Sequence, residues 1–155
     1  EDDFPVPSSE LPTHLAIQEM FVREQPENKV VMHTHATELI ALTQLSAFHS
    51  SAAINKLLWG MHPETAMFVP KGTGFVPYTL PGTEMIAAAT VNELKDHPVV
   101  IWEKHGVFAT GSSVVSVFDT IDLLAKSARI YFMVCQSGHE PEGLSDEQID
   151  ELRRG

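Results

Sequence analysis

Six residues, Val30-Val31-Met32-His33-Thr34-His35, constrain this chain more than any other stretch. An apolar run ends in His-x-His, and a helical pattern follows at once. In a strand, residues i and i+2 point to the same face, so His33 and His35 offer two imidazoles side by side at the strand end. Such a pair suits a divalent metal such as zinc, which takes His nitrogen at about 2.0–2.1 Å. Taken alone, the pair also fits two unrelated surface histidines. The rest of the chain has to supply the partners.

The chain has 155 residues, which makes one domain or part of one. A chain of that size buries roughly 68–70% of its unfolded surface and needs no disulfide staples. Cys135 is the single cysteine, so no internal disulfide can form, and a reducing, cytoplasmic setting is expected. It lies in the apolar run Ile130 to Cys135 and is expected in the core. The formal net charge is -11, with 10 Lys+Arg against 21 Asp+Glu. Much of the acid lies at the ends, in Glu1-Asp2-Asp3 and in Asp146 to Glu151. That balance argues against nucleic acid as a partner, because phosphate contacts need clustered Lys and Arg. No apolar run approaches the ~20 residues of a membrane span, so no membrane partner is expected.

Strands and helices alternate. Residues 1–9 read as an extended lead-in around Pro5 and Pro7, with Ser8 or Ser9 as N-cap of a helix running to about Arg23. Leu15, Met20 and Val22 give that helix an apolar face. Lys29 to Met32 reads as a buried strand ending at the His pair, and Ala36 to Phe48 as a helix with Leu39, Ile40, Leu42 and Leu45 at helical spacing. Ser50-Ser51 caps a helix over Ala52 to Trp59, and His62-Pro63-Glu64 reads as loop. Ala66 to Val69 and Gly74 to Tyr78 look like strands, and Glu84 to Lys95 like a helix. Val99 to Trp102 and Val107 to Ala109 are strands around the tight His105-Gly106 turn. A long helix from Val114 to Ser137 turns Val117, Ile121, Leu124 and Ala128 inward, and Asp146 to Leu152 closes the chain as a short helix. The pattern implies an α/β fold: a sheet covered by helices on both faces, with at least one antiparallel pair. No G-x-G-x-x-G follows a strand and no Walker lysine loop is present.

Three features carry the chemistry. His33 and His35 end one strand, His105 follows another, and Glu10 opens the helix that precedes the His pair. Three His ligands leave one position open on zinc, which is the pattern of a catalytic site rather than a structural one. A carboxylate beside such a metal can shuttle protons. From spacing alone, Glu10 fits better a first-turn glutamate that complements the helix dipole. His14 lies one turn on and reads as a helix-surface residue or one behind the ligands. His49, His62, His97 and His139 read as loop or cap residues.

Together these stretches resemble a known family. Ser8-Ser9-Glu10-Leu11-Pro12, Val31-Met32-His33-Thr34-His35-Ala36-Thr37, Leu39-Ile40-Ala41-Leu42-Thr43, Pro81-Gly82-Thr83 and His105-Gly106-Val107-Phe108 are similar to the class II aldolase/adducin family over nearly the whole chain. The match is best to its branch acting on L-rhamnulose 1-phosphate. The resemblance implies a three-layer α/β/α fold with a mostly antiparallel central sheet. It implies Zn2+ held by His33, His35 and His105, with Glu10 as the acid/base group. It implies that Glu64 serves a neighbouring subunit's site in a ring-shaped homotetramer, and that Ser8 and Ser9 contact the substrate phosphate. The implied reaction is reversible retro-aldol cleavage of a phosphorylated ketose, L-rhamnulose 1-phosphate, to dihydroxyacetone phosphate and L-lactaldehyde.

Full-length relatives carry a further stretch before the point where this chain begins, with Gly- and Asn-containing loops that bind much of the phosphate. The expectation is that residues 1–155 form the carboxy-terminal, metal-binding part of such an enzyme. Alone, it should bind metal and turn over slowly or not at all. Alternatives are another sugar-phosphate aldolase, epimerase or dehydratase of the same family, an adducin-like interaction module without catalysis, or a structural metal site.

Overall fold

The computed structural model describes residues 6–154. Pro5 and the Glu1-Asp2-Asp3 segment, both part of the expected lead-in, lie outside the described residues. In chain order the elements are α1 (Leu11–Glu24), β1 (Val30–Thr34), α2 (Thr37–Leu42), α3 (Ser51–Met61), α4 (Pro63–Phe68), β2 (Thr73–Val76), α5 (Glu84–Leu94), β3 (Val99–Trp102), β4 (Gly106–Gly111), α6 (Val114–Gln136) and α7 (Asp146–Arg154).

The strands form one sheet in the order β1-β4-β3-β2. β4 runs antiparallel to both β1 and β3, while β2 runs parallel to β3. The mostly antiparallel sheet is therefore observed. Alternation along the strands sorts side chains to two cores. Val99, Ile101, Val107 and Ala109 join Leu39, Leu58, Val117 and Leu124 beneath α2, α3 and α6. Val100, Trp102 and Phe108 join Ile17, Met20, Phe21 and Ile86 beneath α1 and α5. This is the expected three-layer arrangement. Along β1 the same rule holds, with Val30 and Met32 on the first core and Val31 on the second.

Several local expectations are corrected. The helix over Ala36 to Phe48 stops at Leu42, and a 3-10 turn, Ser46–Phe48, follows. The Thr43 hydroxyl donates to the Ile40 carbonyl at 2.8 Å, a local bond that competes with helix continuation. The loop at His62-Pro63-Glu64 and the strand over Ala66 to Val69 are instead the helix α4. Pro63 opens it, where a missing N–H costs nothing, and Glu64 lies in its first turn. The run Ala66 to Val69 is too short for its period to separate strand from helix. On α1 the buried face is Thr13, Ile17, Met20 and Phe21, while Leu15 and Val22 are exposed. Neither Ser8 nor Ser9 is the N-cap of α1. Glu10 takes that position without a side-chain cap bond. Cys135 is exposed on α6 rather than in the core.

Candidate metal centre

β1 runs through His33 and ends at Thr34, so His33 is held by the sheet and His35 lies just beyond it. His33 pairs across the ladder with Phe108, and the two rings stack with centroids 4.3 Å apart. β3 and β4 are joined by Glu103-Lys104-His105, which returns His105 to the same end of the sheet. The three rings then meet. Centroid distances are 5.0 Å for His33–His35, 5.3 Å for His33–His105 and 5.1 Å for His35–His105. One nitrogen from each lies within 4.8 Å of the others. His35 is exposed and the other two half-buried, so the cluster opens to solvent on one side.

The protonation of His33 follows from its partner. Its Nδ1 lies 3.0 Å from the Val107 carbonyl oxygen. A carbonyl only accepts, so Nδ1 carries the hydrogen and Nε2 of the neutral ring carries the free lone pair. That Nε2 is buried and without a hydrogen-bond partner. Metal-ligating histidines are oriented in this way, one nitrogen donating to a carbonyl and the other left for the ion. Burial holds the His33 imidazole below its ordinary range. The His105 and His35 rings push the same way, while the Val107 bond and the Glu10 carboxylate offset part of the effect. The neutral form, which binds metal, is thereby favoured. The donor set of three imidazoles, with an orphaned buried nitrogen among them, fits a divalent ion of zinc's kind.

Gly106 allows the approach. A Cβ there would stand 2.6 Å from the Thr34 carbonyl oxygen and 2.9 Å from Cδ2 of His35. No side chain fits between the two strands at this point.

Glu10 is buried, only 4% exposed, which is unlike a helix-surface glutamate. Its Oε2 accepts the Gly82 N–H at 3.3 Å, and the Ser9 hydroxyl stands 3.5 Å from its Oε1. The Ser8 hydroxyl accepts the Glu10 N–H at 3.2 Å. Gly82 has φ +75°, and a Cβ there would come within 2.9 Å of the Ser9 carbonyl oxygen. The Pro81-Gly82-Thr83 turn thus closes over Glu10. Both Ser8 and Ser9 are exposed beside it. His14, one turn further along α1, sets its ring against the edge of Phe108 at 5.2 Å. Burial lowers its pKa, and the Glu10 carboxylate offsets part of that.

Glu64 is not among the residues gathered with the imidazoles. It is 55% exposed on α4 and faces His62, with Oε2 to Nε2 at 3.6 Å. His97, read as a cap residue, bonds the Lys71 carbonyl through Nδ1 at 2.7 Å. Thr43 and Glu103, which sequence reasoning passed over, stand with His49, read there as a loop or cap residue, around the His105 hairpin. Thr43 stood inside a recognised segment, but nothing in its local pattern marked its partner. Among the described residues no helix is long and apolar enough to cross a membrane.

The family model described as Class II Aldolase and Adducin N-terminal domain matches residues 1–132. A rhamnulose-1-phosphate aldolase of Bacteroides thetaiotaomicron is 44% identical over 151 residues, covering 97% of this chain and 56% of the relative. One from Listeria monocytogenes is 35% identical over 147 residues, 95% of this chain and 54% of the relative. The chain therefore spans about half the length of the curated relatives it matches. A crystal structure of a sugar-phosphate aldolase from Thermotoga maritima superposes with TM-score 0.80 at 34% identity, covering 90% of this chain and 59% of that one. An L-fuculose 1-phosphate aldolase at 20% identity shares the fold, with TM-score 0.72 over 97% of this chain and 64% of its own.

Proposed function

This chain belongs to the class II aldolase and adducin family, and from that premise we propose that it carries the metal-binding portion of an aldolase site for a phosphorylated ketose. The observation that carries the reading is the orphaned, buried Nε2 of His33, met by nitrogens of His35 and His105 within 4.8 Å. These three side chains would hold Zn2+. A divalent ion there supplies Lewis-acid stabilisation for negative charge developing on a substrate oxygen.

The chain's own groups do the rest. Glu10 is the acid/base residue: it gives a proton to the substrate carbon when the carbon–carbon bond breaks, and removes it in the reverse direction. Its carboxylate is held for that by the Gly82 N–H and the Ser9 hydroxyl. Ser8 and Ser9, exposed beside it, offer hydroxyls to the substrate phosphate. Glu64 stands on an exposed turn of α4. In this reading it serves a second copy of the chain in a homotetramer, where it takes the proton from the hydroxyl on the aldehyde side. The names of the relatives at 44% and 35% identity favour L-rhamnulose 1-phosphate as the ketose, with dihydroxyacetone phosphate and L-lactaldehyde as products.

Metal content of the purified chain is the test. About one zinc per chain is expected, lost in both His33→Ala and His105→Ala. Metal retained in full by His105→Ala would break the three-imidazole site. Where cleavage is measured, by release of dihydroxyacetone phosphate, Glu10→Gln should lower it by ~10²–10⁴ while leaving the metal in place.

A further inference from the structure

We propose that Thr43 is a positioning residue for this centre: its hydroxyl holds the hairpin that delivers His105 to the His33–His35 pair. The inference rests on the three-imidazole reading above. His105 comes from a turn closed by its own N–H donating to the Trp102 carbonyl at 3.2 Å. Within that turn Lys104 has φ +61°, the one positive φ at a non-glycine among the described residues. Glycine or asparagine is the ordinary occupant of such a position, so something outside the turn has to hold it.

Thr43 does so. It is fully buried at the C-terminal end of α2. Its hydroxyl accepts the Lys104 N–H at 2.8 Å and donates to the Ile40 carbonyl at 2.8 Å. Its carbonyl accepts Nε2–H of His49 at 2.9 Å. The same His49 nitrogen lies 3.8 Å from the Glu103 carboxylate. Glu103 in turn accepts the Tyr78 N–H at 2.9 Å and pairs with Lys104 Nζ at 2.8 Å. Lys104, the residue before His105, is thus tied directly to one end of α2, and the Glu103 carboxylate lies beside the His49 held there. The other end of α2 starts two residues after His35. Its 6 residues rise about 1.5 Å each, and Leu39 and Leu42, both 0% exposed, pin it to the core. So α2 is a fixed spacer between the two motifs, and the Thr43 hydroxyl is where it grips the second one.

The test compares Thr43→Val, which keeps the shape and removes the hydroxyl, with Thr43→Ser, which keeps the hydroxyl. Zinc affinity is measured by chelator competition, the Co2+-loaded chain gives a visible spectrum, and melting of the metal-free chain reports the fold. Thr43→Val should weaken zinc by about 10–100-fold and shift the Co2+ bands, as loss of a group behind a ligand does. Thr43→Ser should restore both. Unchanged affinity in Thr43→Val, with metal still lost in His105→Ala, overturns this inference and leaves the three-imidazole reading standing. Equal losses in both Thr43 variants overturn it too, because the hydroxyl is then not what matters. Should Thr43→Val fail to fold, amide exchange in the parent chain decides. The Lys104 N–H should exchange slowly, and exchange at the rate of an open turn would refute the tether.

Discussion

The two faces of the central sheet are drawn from the same strands, yet they differ in kind. Beneath α2, α3 and α6 the face is apolar, with Val99, Ile101, Val107, Ala109, Leu39, Leu58 and Leu124 all 0% exposed and Phe75 beside them. Beneath α1 and α5 it is mixed. Trp102, Phe108 and Ile17 pack there, but so do the stacked His33 and the edge-on His14. Buried polar groups stand on both sides; Thr43, Asn55, Thr65 and Ser127 are partnered on helices of the first, so the imidazoles are what set the second apart. The Thr90 hydroxyl accepts Nε1–H of Trp102 at 2.8 Å, while Nε2 of His33 has no partner. An apolar face is indifferent to direction, whereas a polar buried group costs free energy unless something meets it. The period of two lets one strand serve both ends: Val30 and Met32 hold the fold while His33 faces the site.

The sharpest way to break this comparison is to damage each face and ask which property fails. Leu124→Ala on the face beneath α2, α3 and α6 should cost about 2–5 kcal/mol of stability, measured by urea unfolding of the metal-free chain. Zinc per folded chain should stay as in the parent. Loss of metal from the folded fraction would mean that the two faces are not separable.

Gly106→Ala attacks the other side. Its Cβ would meet the Thr34 carbonyl oxygen at 2.6 Å and His35 at 2.9 Å, so backbone or imidazole must shift. A stability loss of about 1–3 kcal/mol is expected from such overpacking. Zinc affinity should fall by tenfold or more, since a displaced ligand loses more than its outer partners do, at about 10–100-fold each. Affinity at the parent level would show that the strand end yields without moving the ligands.

Both faces of the sheet were legible in part from the sequence. His33 and His35 at i and i+2 after an apolar run, with His105 after a second one, pointed to the cluster, and the family resemblance joined the two motifs. The inward set Val117, Ile121, Leu124 and Ala128 was equally plain, because a 3.6-residue period over 23 residues leaves little ambiguity. What escaped was short or distant. The six-residue α4 offers too few turns for its period to tell. From spacing alone Glu10 reads as a first-turn helix glutamate and only the resemblance gave it a role; its contact with the Pro81-Gly82-Thr83 turn spans 72 residues. Thr43 meets Lys104 across 61 residues, a contact that exists only once α2 and the hairpin have docked.

The smallest expected effect lies at the rim, where the charged groups face water and belong to neither face. Glu38, in the first turn of α2, accepts Nε–H of Arg129 on α6 at 2.8 Å. Partial burial pushes its pKa up, but its own backbone N–H and the Arg129 guanidinium outweigh that and hold it below the usual 4.5. A carboxylate with a depressed folded pKa stabilises the fold above its unfolded value, and that contribution is lost as pH falls through the folded one. Arg129 is 64% exposed, so the pair should be worth less than about 1 kcal/mol, and less again at high salt. Urea unfolding of the parent and of Glu38→Gln should therefore differ slightly at pH 7 and converge as the pH drops below 4.5. Zinc content at pH 7 should be the same in both. A gap that persisted in acid would assign the role of Glu38 to its hydrogen bonds with Arg129 and the start of α2 instead of to its charge.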